Sequence, residues 1–225
     1  MREGIVISIL GIDGSGKTTI SRHILNHLSS RNVKVHYVHV EYLLRKFIPA
    51  RIRAILWKKI AHKGNKRIDE YPRSGTLSEI LIRALFSLIL YIFSILDTVI
   101  FYDTIIKRNR KKYDFIICDR YFYDYLIYSE YPNTLIYLFL SIMPKPDAII
   151  YLYVTPSIAH SRRKEHTADF YKRVQSKYLD IIGKLRNIGY KSIVMINANK
   201  PLENVINSIT NFADYILSSN RGKIS

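Results

Sequence analysis

Cysteine, glutamine and tryptophan are nearly absent from this 225-residue chain: Cys118, Gln175 and Trp57 each stand alone. One cysteine cannot close an internal disulfide, and no Cys/His cluster has zinc-binding spacing, so neither a cross-link nor a structural zinc is expected. Scarce glutamine beside abundant Ile, Tyr and Lys/Arg is compatible with a thermophile, because side-chain amides are thermolabile. Carboxylates are also few. Eighteen Asp and Glu stand against 35 Lys and Arg, for a formal charge of +17, and residues 42–68 carry nine basic side chains and no acid. Such a field concentrates polyanions, whether nucleotides, nucleic acid or an anionic membrane surface, without choosing among them. Long apolar runs are missing as well. The longest, ALFSLILYIFSIL at residues 84–96, has 13 residues, short of the roughly 18 that span a bilayer. A buried or interfacial helix is expected there. The chain starts with a strand-like run rather than a secretory signal, so a cytoplasmic location is expected.

Against this background one segment stands out. Residues 11–18 read GIDGSGKT and follow the apolar run IVISIL, which fits the pattern G-x-x-x-x-G-K-[ST] in the context that gives it meaning. A buried strand ending in a glycine-rich turn aims backbone N–H groups at one point, where a helix begins. Gly11, Gly14 and Gly16 permit positive φ and close approach of backbone to phosphate. Lys17 places an ammonium near the β- and γ-phosphates, and the Thr18 hydroxyl can complete a Mg²⁺ shell. Ile20, Ile24, Leu25 and Leu28 then recur at helical spacing.

Five short apolar runs, at residues 5–10, 33–40, 115–118, 148–154 and 192–196, alternate with helical patterns. That alternation indicates βαβ units and an α/β fold with a parallel sheet. The length is that of one domain with a sizeable core. Between the second and third runs, residues 41–62 read as a basic amphipathic helix and 76–107 as a long apolar one, separated by Gly64 and a Pro72–Gly75 turn. A last helix is expected over residues 202–217.

Ligand chemistry in open parallel sheets gathers at the carboxyl ends of the strands. Asp119 and Arg120 follow the third run, so a carboxylate and a guanidinium leave a buried strand together. Asp119 could hold a metal through water or orient an acceptor, and Arg120 could grip phosphate oxygens in a fork; an ion pair between the two is the plainer alternative. Arg162 and Arg163 lie in SRRKEHTAD, a short polar segment of the kind that makes a lid over a nucleotide, or simply a solvated helix face. Phosphoryl transfer requires positioning and charge neutralisation more than covalent chemistry, and a phosphate cradle, a metal site and arginines are all supplied. The tyrosines and phenylalanine at 121, 122, 123, 125, 128 and 131 could stack on a base, though such clusters more often pack a core.

In order and spacing, GIDGSGKTT, the DRY at 119–121, PDAIIYLYVTP leading to Arg162 and Arg163, FYKRVQSKY from Phe170 and INANKPLENV from Ile196 resemble the thymidylate kinase family of P-loop nucleoside monophosphate kinases. The resemblance covers nearly the whole chain except about residues 41–70. It implies a three-layer P-loop kinase fold, a five-stranded parallel sheet flanked by helices, forming a single domain over residues 1–225. It also implies a lid near 156–168 and an acceptor side within 41–112. The implied reaction passes the ATP γ-phosphate to dTMP with Mg²⁺, commonly in a homodimer, with small nucleotides as partners and no specific nucleic-acid or membrane partner.

By matching position, Gly11, Ile12, Asp13, Gly14, Ser15, Gly16, Lys17, Thr18 and Thr19 would serve ATP, and Thr18 with Asp119 the metal. Asp13 would also reach the acceptor sugar. Arg120 would bind the acceptor phosphate, with Tyr121 beside it. Arg162 or Arg163 would be the lid arginine, and Asn197 would lie near adenine. Lys17, Asp119, Arg120 and the lid arginines would form the catalytic set. The family's R-E-P-G-G-T segment is absent; the nearest text is YPRSGT at 71–76, where Arg73 could substitute for the missing arginine. That departure leaves open a nucleoside or another small hydroxyl compound as acceptor. A third reading is a nucleotide-binding protein whose basic segment docks on nucleic acid or membrane.

Overall fold

The computed structural model describes residues 3–40, 77–127 and 131–219. The expected basic helix, the Pro72–Gly75 turn, Arg73 and Tyr128 lie outside these residues. The chain gathers into two compact units, one of Met1–Val40 with Tyr102–Ser225 and one of Glu41–Phe101.

The first unit is built on a five-stranded parallel sheet of β1 (Ile5–Leu10), β2 (Val35–His39), β3 (Phe115–Asp119), β4 (Ala148–Tyr153) and β5 (Ile193–Asn197) in the order β2-β3-β1-β4-β5. Each strand lies within a residue or two of an apolar run in the sequence. Val6, Ile7, Ile9 and Leu10 of β1 are fully buried, as are Phe115 to Cys118 of β3 and Ile149 to Leu152 of β4. A central strand covered on both faces needs an unbroken apolar run, and each such side chain contributes about 1.5–3 kcal/mol on burial.

Helices α1 (Lys17–Ser29), α5 (Asn133–Ile142), α6 (Pro156–Arg162) and α7 (Ala168–Asn187) lie between strands, and α8 (Leu202–Ser219) follows β5. Between β3 and α5 comes the single turn α4 (Asp124–Ile127). In α7, Tyr171, Val174, Tyr178, Ile181, Ile182 and Leu185 form the buried stripe expected of a helix lying on a sheet. The register pairs Ile9 with Asp119 and His39 with Asp119, so the ends of β1, β2 and β3 meet at one place. The crevice beyond β1 and β3 is the point where strand order reverses, the usual ligand position in such sheets.

In the second unit the described residues form one helix, α2 (Leu77–Phe101). Tyr91, Ser94, Asp97, Thr98 and Phe101 are buried, while Leu88, Ile92, Phe93, Leu96 and Val99 are exposed. Ser94 and Thr98 donate their hydroxyls to the carbonyls of Tyr91 and Ser94, which satisfies them within the helix. In the first unit a π-helical turn, Tyr102–Ile106, and the short α3 (Lys107–Arg110) continue the chain. The 13-residue apolar run understates this region. Helical structure passes through Asp97 and Asp103, and Leu88–Arg110 is long and apolar enough to cross a membrane by length and composition.

Candidate active site

Between β1 and α1 the chain turns through three glycines with positive φ, Gly11 at 151°, Gly14 at 83° and Gly16 at 90°. At Gly11 an added Cβ would stand 2.7 Å from the Leu152 carbonyl and from Ser15 Oγ, and at Gly14 it would stand 2.7 Å from the Ala159 carbonyl. The loop therefore lies directly against β4 and α6, at distances only glycine allows. Gly16 caps α1 with no side-chain hydrogen bond, so the first N–H groups of a four-turn helix face the loop without a side-chain acceptor, as an anion site requires. Ser15 Oγ is buried without a hydrogen-bond partner among the described residues. Ile12 is part of the core, and Thr19 is exposed on the first turn of α1.

Lys17 reaches back over this turn. Its Nζ donates to the carbonyls of Gly11 at 2.8 Å and Ile12 at 2.9 Å and pairs with Asp13 Oδ1 at 3.2 Å. Burial and then the charge of Arg120 lower the Lys17 ammonium below its ordinary value, against the opposing carboxylates of Asp13 and Asp124. For Asp13, burial works upward, but the charges and hydrogen bonds of Lys17 and Arg120 outweigh it and hold the carboxyl below its ordinary value.

Arg120 is the hub of the arrangement. It follows β3 with φ of 74°, a left-handed conformation that costs a non-glycine residue about 1–2 kcal/mol. Its N–H donates to the Ile9 carbonyl at 3.1 Å, which ties the turn to β1. The guanidinium then spans two acids, Nη2 to Asp13 Oδ1 at 2.6 Å and Nη1 to Asp124 Oδ2 at 3.1 Å. Asp124 is buried, and its other oxygen accepts the Tyr178 hydroxyl at 2.7 Å. Arg120 pairs with Asp13 and Asp124, so the plainer alternative, an ion pair of Asp119 with Arg120, is not what the structure shows. Neither Asp124, at the start of α4, nor Tyr178, on α7, carried a signal in the sequence that marked it as a partner.

Asp119 closes the end of β3 and is fully buried. Its Oδ2 accepts the Thr18 hydroxyl at 2.7 Å and the Tyr37 hydroxyl at 2.9 Å, with His39 Nδ1 at 3.4 Å. Its Oδ1 is buried without a hydrogen-bond partner among the described residues. Magnesium prefers hard oxygen ligands and retains several waters. A hydroxyl beside a carboxylate with one uncommitted oxygen suits it, so these residues fit the ion that the phosphate-loop pattern implies. Tyr37 and His39 share one face of β2 by the two-residue period, but no signal in the sequence placed β2 beside β3.

The two arginines expected in a lid separate. Arg162 Nη1 and Nη2 donate to the Ala198 carbonyl at 3.2 and 3.3 Å, and Nη1 lies 3.4 Å from the Gly14 carbonyl. Arg163 instead pairs with Glu165 at 2.8 Å, a bond that raises its guanidinium, with lesser influences from Asp13 and Arg120. Tyr171 donates its hydroxyl to the Arg163 carbonyl at 2.6 Å and anchors the segment to α7. Asn197 Oδ1 accepts from the backbone N–H and Nδ2 of Asn199, and Asn199 Oδ1 accepts from the Thr155 N–H at 2.8 Å. Asn197 thus shapes the loop after β5. The ring of Tyr121 is buried against Phe122 and Tyr123, and its hydroxyl donates to the Pro144 carbonyl, a packing role.

The family model for thymidylate kinase matches residues 54–209, a span that begins after the phosphate loop. A protein of Staphylothermus marinus described as a probable thymidylate kinase is 26% identical over 217 residues, covering 92% of each chain. The thymidylate kinase of Buchnera aphidicola subsp. Baizongia pistaciae is 29% identical, covering 92% of this chain and 93% of its own. That of onion yellows phytoplasma is 26% identical, covering 90% and 93%. With a match over more than half its length and relatives that align along most of the rest, the chain belongs to the thymidylate kinase family.

Proposed function

We propose that this P-loop phosphotransferase passes the γ-phosphoryl group of ATP to dTMP, giving ADP and dTDP. The observation that carries the reading is Arg120, held between Asp13 and Asp124 at the mouth of the phosphate loop. A guanidinium there can take the acceptor phosphate in a fork and bring its oxygen near the donor site.

In this reading the loop from Gly11 to Thr19 wraps the ATP phosphates, and Lys17 exchanges its carbonyl partners for phosphate oxygens as charge builds in the transition state. Thr18 and Asp119 would hold Mg²⁺, which supplies charge neutralisation across the phosphates. Asp13, once freed from Arg120, is available to the acceptor sugar. Arg163 is the lid arginine that closes on the moving group, because Arg162 is committed to the carbonyls of Ala198 and Gly14. The loop after β5, shaped by Asn197 and Asn199, borders adenine. A cytoplasmic homodimer completes the reading, in keeping with the exposed apolar side chains of α2.

The test is a coupled ADP-release assay across dTMP, dUMP, dCMP, dGMP and thymidine with Mg²⁺ and ATP. Turnover is expected with dTMP well ahead of the others. ADP release that is flat across the whole panel would sink the proposal, and turnover confined to thymidine would move the acceptor to a nucleoside.

A further inference from the structure

Asp119 is fully buried at the end of β3, and three groups converge on one of its oxygens. Thr18 from α1 and Tyr37 from β2 donate hydroxyls to Oδ2 at 2.7 and 2.9 Å, and His39 Nδ1 stands 3.4 Å away. Nothing among the described residues bonds Oδ1. A carboxylate fixed through one oxygen keeps the other at a defined place, with its lone pairs uncommitted. Such outer partners orient a metal ligand and tune its basicity, and their loss typically weakens metal binding by about 10–100-fold.

We propose that Tyr37 is a positioning residue of the metal site: its hydroxyl, with that of Thr18, holds Asp119 Oδ2 and leaves Oδ1 as the oxygen that serves the metal's water shell. The inference rests on the reading of Thr18 and Asp119 as the Mg²⁺ site. Two features support it. The tyrosine comes from a neighbouring strand in parallel register, where Tyr37 lies beside Ile117 and His39 beside Asp119, so its hydroxyl reaches along the sheet to the strand end. Thr18 also gives its proton to Asp119, so both lone pairs of the threonine oxygen remain for a cation.

The deciding experiment uses Mn²⁺ as the probe, titrated into the full-length protein with ADP and followed by electron paramagnetic resonance. For Tyr37→Phe, Mn²⁺ affinity is expected to fall about tenfold or more, while ADP affinity measured by calorimetry in EDTA stays unchanged. The kcat of Tyr37→Phe should recover as free Mg²⁺ is raised, a rescue that a general loss of packing would not give. A melting midpoint in EDTA close to that of the parent protein shows that the fold is kept. Asp119→Asn separates the two layers of the argument. If it weakens Mn²⁺ binding while Tyr37→Phe leaves it within twofold, the role of Tyr37 is overturned and the metal site stands. If neither variant changes Mn²⁺ binding, the metal-site reading itself falls.

Discussion

A single guanidinium joins two acids beside the phosphate loop, and its partners determine what substitution should do. Arg120 makes two pairs at once, with Asp13 and with Asp124, and a lysine ammonium cannot span both acids or offer a planar fork. Arg120→Lys should therefore raise the dTMP KM by about 10–100-fold, the equivalent of one or two charged hydrogen bonds, while the ATP KM moves little. Initial rates with each substrate varied in turn measure this, and an unchanged dTMP KM would remove Arg120 from the acceptor site. Asp119 and Arg120 were legible as candidates because they leave a buried strand together. Their surroundings were not legible, since Tyr37 reaches Asp119 from β2 and Tyr178 reaches Asp124, the partner of Arg120, from α7.

At the scale of the element, the phosphate loop and α1 show two kinds of constraint. Gly16 and Gly14 both have positive φ, but only Gly14 is hemmed in, with the Ala159 carbonyl 2.7 Å from any added Cβ and nothing within 4 Å at Gly16. Gly16→Ala should cost about 1–2 kcal/mol from backbone conformation alone. Gly14→Ala should cost more, because α6 must also shift. Denaturant midpoints of the two variants give the comparison.

Farther along α1, His23 faces Thr210 of α8 at 3.0 Å and stacks near His27, which with Arg31 pairs with Asp214. Burial, and then the charge of His27, lower the His23 imidazole below its ordinary 6.5. The unfolded chain therefore binds more protons than the folded one between the lowered value and 6.5, so stability rises with pH across that window and is lost as pH falls below 6.5. Urea unfolding at a series of pH values should show this slope, and His23→Gln should flatten it.

For the molecule as a whole, the contest is between a lipid-compatible helix and the fold that holds its end. Leu88–Arg110 passes a length and composition test for spanning a membrane. Yet Ile106 is fully buried, the Arg110 carbonyl accepts the Gly4 N–H at 2.7 Å, and the Arg110 guanidinium pairs with Glu3 and Asp147. Spanning would break these contacts and leave Asp97 within the bilayer, at about 2.5–3.5 kcal/mol near its centre. The folded protein is accordingly expected to stay in the aqueous fraction when floated with neutral phosphatidylcholine vesicles; co-flotation at high salt would contradict this.

What the sequence determined by itself was whatever is encoded in contiguous residues. The glycine-rich turn, the five apolar runs and the order of helices between them depend on local backbone freedom and on burial of neighbouring side chains, so they could be read along the chain. Tertiary structure decided the rest. Only the sheet order β2-β3-β1-β4-β5 brings Tyr37 to Asp119 and sets Asp13 beside Arg120. Only the docking of α6 beside the phosphate loop directs Arg162 to the carbonyls of Ala198 and Gly14 while Arg163 pairs with Glu165. The physical reason is that a hydrogen bond between distant residues depends on strand register and helix packing, which no stretch of sequence carries alone.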